Sequence, residues 1–214
     1  PGILHLRIGR FLPAASPEDP LTATATAVRE AIRAAGTLRA AVLDLRGCAG
    51  GSLQAAVEVA SCWLPPGAPI IEQIGRDPAR ARSLVAIGPR QSDAPVVVLV
   101  DAGTASSAEV VALALRHGRR APLIGSPTHG KWSVQQLFML PGGDAMNLTV
   151  ARLHTGDGQE MSGPLQPDIG LQQDASETWL RLRDELAGET RPSPDRQLER
   201  ACELAATLAL AAGR

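Results

Sequence analysis

Lys131 is the only lysine in this chain of 214 residues; every other basic side chain but the four histidines is an arginine. A desolvated ammonium can lose its proton near neutral pH, which a guanidinium cannot do. A lone lysine in an arginine-rich chain is therefore a candidate general base, provided apolar groups bury it. A coding bias toward arginine would equally leave one surface lysine. A base needs a hydroxyl to act on, and Ser106 lies upstream. Residues 96–100 read VVVLV, a continuous apolar run that suits a buried parallel strand. Asp101-Ala102-Gly103 breaks that run, and from Thr104 the pattern turns helical through Val110, Val111, Leu113 and Leu115, to a stop at Gly118. Ser106 thus falls on the first turn of a buried helix, in positive potential and beside free backbone N–H groups. A nucleophile and half of an oxyanion hole belong in such a place. The same spacing, Ser106-Ser107-Ala108-Glu109, also fits a plain capping box.

Two segments, GTASSAEVVALAL and GSPTHGKWSVQ, resemble the active-site pair of the carboxyl-terminal processing (tail-specific) serine proteases. That family carries a serine turn followed by a G-K-x-x-V-Q segment, and the resemblance implies a Ser-Lys-Gln catalytic set. Ser106 falls on the nucleophile, Lys131 on the general base and Gln135 on the residue that orients the base. AAVLDLRGCAGGSLQAAVEVASCWLP (40–65) is similar to the family's strand-turn-helix, and ARLHTGDGQEMSGPLQPDI (151–169) to its tail. Four blocks in family order extend across most of the chain, from residue 40 to residue 169. The resemblance also implies that Gly50 or Gly51 supplies an oxyanion donor beside the N–H of Ser107. Cys48-Ala49 stands where Asn-Pro is usual in the family.

The remaining candidates carry weaker chemistry. Cys48 has no histidine recognisably paired with it as a nucleophile would. Residues 125–131, GSPTHGK, match a phosphate-binding loop except that Trp132 stands where Ser or Thr must hold Mg²⁺, and a strand rather than a helix follows. The glycines at 47, 50 and 51 lack dinucleotide-site spacing. Three scattered cysteines form neither a disulfide framework nor a zinc site, and no cofactor is expected. His117 and His129 read as ordinary surface or loop histidines. In an extended strand Lys131 and Gln135 share a face but lie about 13 Å apart, so the chain must bend or the side chains must lean together.

These residues need elements to hold them. Residues 2–8 alternate as a strand, and Leu21, Ala25, Val28, Ile32 and Ala35 line one helix face before Gly36. A strand at 40–45 and a helix from Leu53 continue the alternation, which implies βαβ units and a mostly parallel sheet. Short strands are expected near 70–74 and 83–87, with Arg76, Arg80 and Arg82 on a solvated edge. A hairpin follows, 134–140 turning at Pro141-Gly142-Gly143 and returning over 146–153. Gly163 to Ile169 reads as a loop, and two helical stripes close the chain.

The expected class is α/β, and the resemblance refines it to a ClpP/crotonase-like spiral ββα core with a C-terminal helical segment. Residues 1–172 are expected to form a serine peptidase core, with 173–214 packed on it. A net charge of −1 gives no electrostatic case for nucleic acid, and aromatics at 2% provide no stacking platform for single strands. No apolar run approaches a membrane span, and the N-terminus lacks a signal-peptide pattern. The resemblance implies a serine endopeptidase acting on C-terminal regions of protein or peptide substrates, an extracytoplasmic setting (periplasm or cell envelope), and homo-oligomers through terminal helices. It also implies a PDZ module ahead of the core, and no stretch here reads as one. Two rival readings share the fold: a non-catalytic ligand- or peptide-binding module, and an acyl-CoA enzyme of the crotonase type.

Overall fold

A computed structural model describes residues 2–188 and 193–213. Residues 1, 189–192 and 214, which belong to the expected core and helical segment, lie outside the described residues. Five strands, β1 (Ile3–Arg7), β2 (Ala40–Asp44), β5 (Val96–Val100), β6 (Leu123–Gly125) and β9 (Ile169–Gly170), form a parallel sheet in the order β1-β2-β5-β6-β9. A second, antiparallel sheet has the order β4-β3-β8-β7, from β3 (Pro69–Gly75), β4 (Arg82–Val85), β7 (Ser133–Met139) and β8 (Ala145–Thr155). The helices are α1 (Ala23–Ala34), α2 (Leu53–Ala60), α3 (Ser107–His117), α4 (Ala175–Ala187) and α5 (Arg196–Ala212). The mixed α/β class with a parallel sheet is as the sequence implies.

Side chains on a strand alternate between faces, so each apolar run of the parallel sheet serves two cores. Leu43, Val96, Val98 and Val100 join Ala56, Val110 and Leu113 in the larger core. Val42, Val97 and Leu99 face the other way and meet Ala201 and Ala205 of α5. These alanines, spaced four apart and fully buried, let the helix lie close on the sheet. The tie is also ionic. Arg46, 1% exposed, donates from Nε and Nη2 to Asp44 at 2.9 and 2.6 Å and from Nη1 and Nη2 to Asp195 at 2.9 and 2.8 Å. Asp195 is the N-cap of α5, accepting from the N–H of Leu198.

Two boundaries differ from expectation. The serine helix begins at Ser107, because Thr104 is fixed outside it: its hydroxyl donates to Leu45 O and accepts from the Asp101 N–H, both at 2.9 Å. Ser106 is accordingly the N-cap rather than a first-turn residue. Ile169, expected to end a loop, instead pairs with Ile124, and Gly170 with Gly125, as the outermost parallel strand.

Candidate active site

β2 and β5 are parallel neighbours, so their C-terminal ends lie side by side and the turns after them meet. Backbone and side-chain bonds lace the two turns together. Asp101 Oδ1 accepts from the N–H of Gly47 at 2.8 Å and of Gly103 at 2.9 Å. The Ala105 N–H donates to Cys48 O, and the Ser107 hydroxyl donates to Gly51 O at 2.8 Å. The fit leaves no room for side chains. A Cβ on Gly50 would stand 2.7 Å from Ala105 O, and one on Gly51 would stand 2.2 Å from Phe11 O. Both glycines also adopt positive φ, 94° and 142°.

Ser106 has φ 55° and ψ −120°, and Arg119 is the only other non-glycine residue with positive φ among the described residues. Such a conformation costs of order 1–3 kcal/mol and persists only when the surroundings impose it. Here Glu109 imposes it. The Ser106 N–H donates to Glu109 Oε2 at 2.9 Å, so one arm of the capping box is made. The same carboxylate, fully buried, accepts from the N–H groups of Gly130 at 2.7 Å and Lys131 at 2.8 Å and from the Thr128 hydroxyl. Four donors satisfy the anion, and two of them belong to the residues flanking and carrying the lysine. Sequence reading saw Glu109 only as a cap. The S-x-x-E spacing was the available signal, but nothing local announces that its carboxylate also fastens the segment before β7.

Lys131 and Gln135 do come together: Nζ donates to Gln135 Oε1 at 3.2 Å. The means is an irregular strand. Lys131 precedes β7, and pairing with β8 shifts between Val134↔Ala151 and Gln135↔Thr149, a bulge that twists the strand locally. Asn147 Nδ2 also donates to Gln135 Oε1, at 3.4 Å. Lys131 is half-buried rather than enclosed among apolar groups as a desolvated base requires. Among the described residues no hydrogen bond joins Lys131 Nζ to the Ser106 hydroxyl.

Ser106, Ser107, Gly50, Gly51, Lys131 and Gln135 nevertheless all line one cleft of 760 Å³. Exposure distinguishes the two glycines: the Phe11 N–H donates to Gly50 O and Phe11 O accepts from the Ser52 N–H, so that pairing uses neither glycine N–H, but Gly50 is buried and Gly51 exposed. The rival nucleophiles are worse placed. Cys48 is fully buried, and burial pushes its thiol upward. The Ser107 hydroxyl is buried and engaged by Gly51 O. Among the described residues no group of three or more His, Cys, Asp or Glu could hold a metal. His5 lies away from the cleft, with Nε2 3.6 Å from Asp44 Oδ2.

Comparison with known proteins gives a consistent picture. The profile of Peptidase family S41 matches residues 2–171. The carboxyl-terminal-processing protease of Picosynechococcus sp. is 43% identical over 128 residues, which is 60% of this chain and 28% of that protein. The carboxy-terminal processing protease CtpA of Bacillus subtilis is 37% identical over 118 residues, 55% of this chain and 25% of that protein. The chain thus spans about a quarter of the length of these relatives. The structure of the photosystem II D1 C-terminal processing protease superposes with a TM-score of 0.66 at 30% identity, covering 79% of this chain and 42% of that one.

Proposed function

Because the chain belongs to peptidase family S41, we propose that it is a serine endopeptidase that cleaves peptide bonds in C-terminal regions of protein substrates. Ser106 is the nucleophile, Lys131 the general base and Gln135 the residue that aims the base. The observation that carries this reading is the cleft itself, lined together by a strained serine at a helix N-terminus, the bonded Lys131–Gln135 pair and the Gly50–Gly51 turn. On binding substrate, Lys131 in its neutral form takes the proton of the Ser106 hydroxyl while Oγ bonds to the peptide carbonyl carbon. The N–H groups of Ser107 and Gly51 hold the resulting oxyanion. Collapse breaks the C–N bond, and Lys131 returns its proton to the leaving amine. Water then attacks the acyl-enzyme by the same route, with Lys131 as base. In that role the neutral Lys131 amine keeps one N–H on Gln135 Oε1, 3.2 Å away in the resting site, and turns its lone pair to Ser106, a contact that substrate binding completes.

The same reading makes residues 1–172 the peptidase core and 173–214 an accessory helical segment. It puts the protein outside the cytoplasm, in the periplasm or cell envelope. No helix among the described residues is long and apolar enough to cross a membrane. Copies assemble through the terminal helices, where Leu186 and Leu210 are 89% and 62% exposed.

The test is Ser106→Ala beside the wild type, with peptide hydrolysis and intact-mass detection of an acylating probe as readouts. The wild type hydrolyses and takes up one acyl group, whereas the variant loses at least about 10⁴-fold in turnover and stays unlabelled. Wild-type activity in the variant would move the nucleophile elsewhere. A wild type that neither hydrolyses nor acylates would leave the non-catalytic binding module as the better account.

A further inference from the structure

The cleft has an uneven charge. Its lining holds two cationic residues, Arg10 and Lys131, and no Asp or Glu. Of the two carboxylates in and beside the serine turn, Glu109 is fully buried and spent on four donors, and Asp101 accepts from the Gly47 and Gly103 N–H groups and meets the Arg181 guanidinium at 3.9 Å. The N-terminus of α3 adds partial positive charge at Ser106. A general base works neutral, which leaves Arg10 as the permanent cation of the working site.

Arg10 is also built in. Its carbonyl accepts from the Thr24 hydroxyl at 3.3 Å, and the same hydroxyl accepts from the Leu12 N–H at 2.8 Å. On either side, the Ile8 N–H donates to Asp44 O and the Phe11 N–H to Gly50 O, both at 3.0 Å, and Phe11 is 1% exposed. The backbone of Arg10 is thus held against the rim of the Gly50–Gly51 turn while its side chain is exposed. Among the described residues its guanidinium has no hydrogen-bond or ion-pair partner, whereas Arg46, Arg90, Arg152 and Arg200 each meet a carboxylate.

We propose that Arg10 is a substrate-reading residue that binds a carboxylate of the bound polypeptide next to the scissile bond. This rests on the peptidase reading for its scissile bond but not for its binding. A planar guanidinium fork takes a carboxylate through two parallel N–H···O bonds, and an uncharged amide satisfies that fork poorly. The anchored backbone keeps the fork within side-chain reach of the oxyanion turn, so the carboxylate belongs to a residue close to the cleaved bond. The carboxylate comes from either the chain terminus or an Asp or Glu side chain, and both present the same chemistry to Arg10.

The experiment uses four fluorescein-labelled alanine-rich decapeptides: free C-terminus, C-terminal amide, and C-terminal amide with one internal Glu or Gln. Binding is read by anisotropy on Ser106→Ala, and on Ser106→Ala combined with Arg10→Met or Arg10→Lys. Hydrolysis by the wild type is followed separately. The expected result is roughly tenfold or greater tightening for a carboxylate peptide over its neutral counterpart. That preference falls to about unity with Arg10→Met, returns in part with Arg10→Lys, and weakens with added salt. The free-terminus pair and the Glu/Gln pair show which source is read. Equal affinity for charged and neutral peptides, no binding of any peptide, or a preference that survives Arg10→Met with an unchanged unfolding midpoint would each overturn the proposal. Selective binding with no wild-type hydrolysis would instead sink the peptidase reading and leave Arg10 as the carboxylate reader of a binding module.

Discussion

The two halves of the cleft are built by opposite means. The serine half hangs on β2 and β5, whose residues are all fully buried, and its two turns are laced to each other at four points. The lysine half leads into a hairpin, β7 with β8, on the edge of the antiparallel sheet, where Leu137, Met139 and Met146 are 62%, 69% and 43% exposed. The nucleophile and oxyanion donors must keep fixed positions, since stabilising a developing charge depends on dipoles that need no reorganisation. A base must move a proton and so tolerates an element with more freedom. Glu109 fastens the root of the second half to the first, β3 pairs with the end of β8, and only the distal part, 135–139 with 145–149, is left to its own pairing.

The comparison breaks first at the base. Lys131→Arg should be as inactive as Lys131→Ala, each down at least about 10⁴-fold in turnover, because a guanidinium with a pKa above about 12 cannot serve as the neutral base. Substantial hydrolysis by the arginine variant would remove Lys131 from the base role.

The rigidity of the serine half has its own test in stability. Arg46→Met leaves Asp44 and Asp195 buried without their cation, a change worth about 3–5 kcal/mol in denaturant melts. Burial pushes the Asp44 carboxyl up, but hydrogen bonds from Arg46 and His5 and the charge of Arg46 hold it well below the usual carboxylate range. Burial likewise raises Asp195, and Arg46 outweighs it by hydrogen bond and charge. Carboxylates depressed in the folded state bind fewer protons there than in the unfolded chain. Their stabilisation is present above the unfolded pKa of about 4 and is lost as pH falls toward the folded value. The wild type should therefore lose stability steeply below about pH 4, and Arg46→Met should show a shallower slope there. Parallel slopes would mean that this buried cluster does not govern the acid limb.

The hairpin half gives the smallest effect. Gln135→Ala should lower kcat about tenfold with little change in KM, since aiming the base is felt mainly in the transition state. Asn147 then loses its Gln135 partner as well, at an exposed position with little cost to stability. A rise in KM alone would make Gln135 a substrate contact rather than the residue that aims the base.

Local pattern determined a good deal by itself. The apolar run at 96–100, the break at Asp101 and the helical stripe ending at Gly118 fixed a strand-turn-helix around Ser106, because strand and helix periodicities differ and glycine marks the stop. The alternation of such units gave the parallel sheet, and the strand-like run at 134–140 ending in Pro141-Gly142-Gly143 gave the hairpin. The resemblance supplied the pairing of a serine with a lysine far along the chain, which no local pattern could. Tertiary structure alone decided the rest. Which turns meet depends on strand order, so the lacing of Gly47 to Asp101 and Ser107 to Gly51 had no sequence signal. Glu109 looked like a cap because a capping box is local, whereas its bonds to Gly130 and Lys131 cross from one sheet system to the other. Arg46 looked like part of a motif, and its second carboxylate comes from a helix 149 residues away. The burial of Lys131 was a requirement inferred from chemistry, and the fold met it only halfway, with Lys131 half-buried at the entry to the edge strand β7 while Trp132 beside it joins the core. Periodicity is written within one element, whereas contact between elements follows from how they stack, and the working geometry of this cleft is made of contacts between elements.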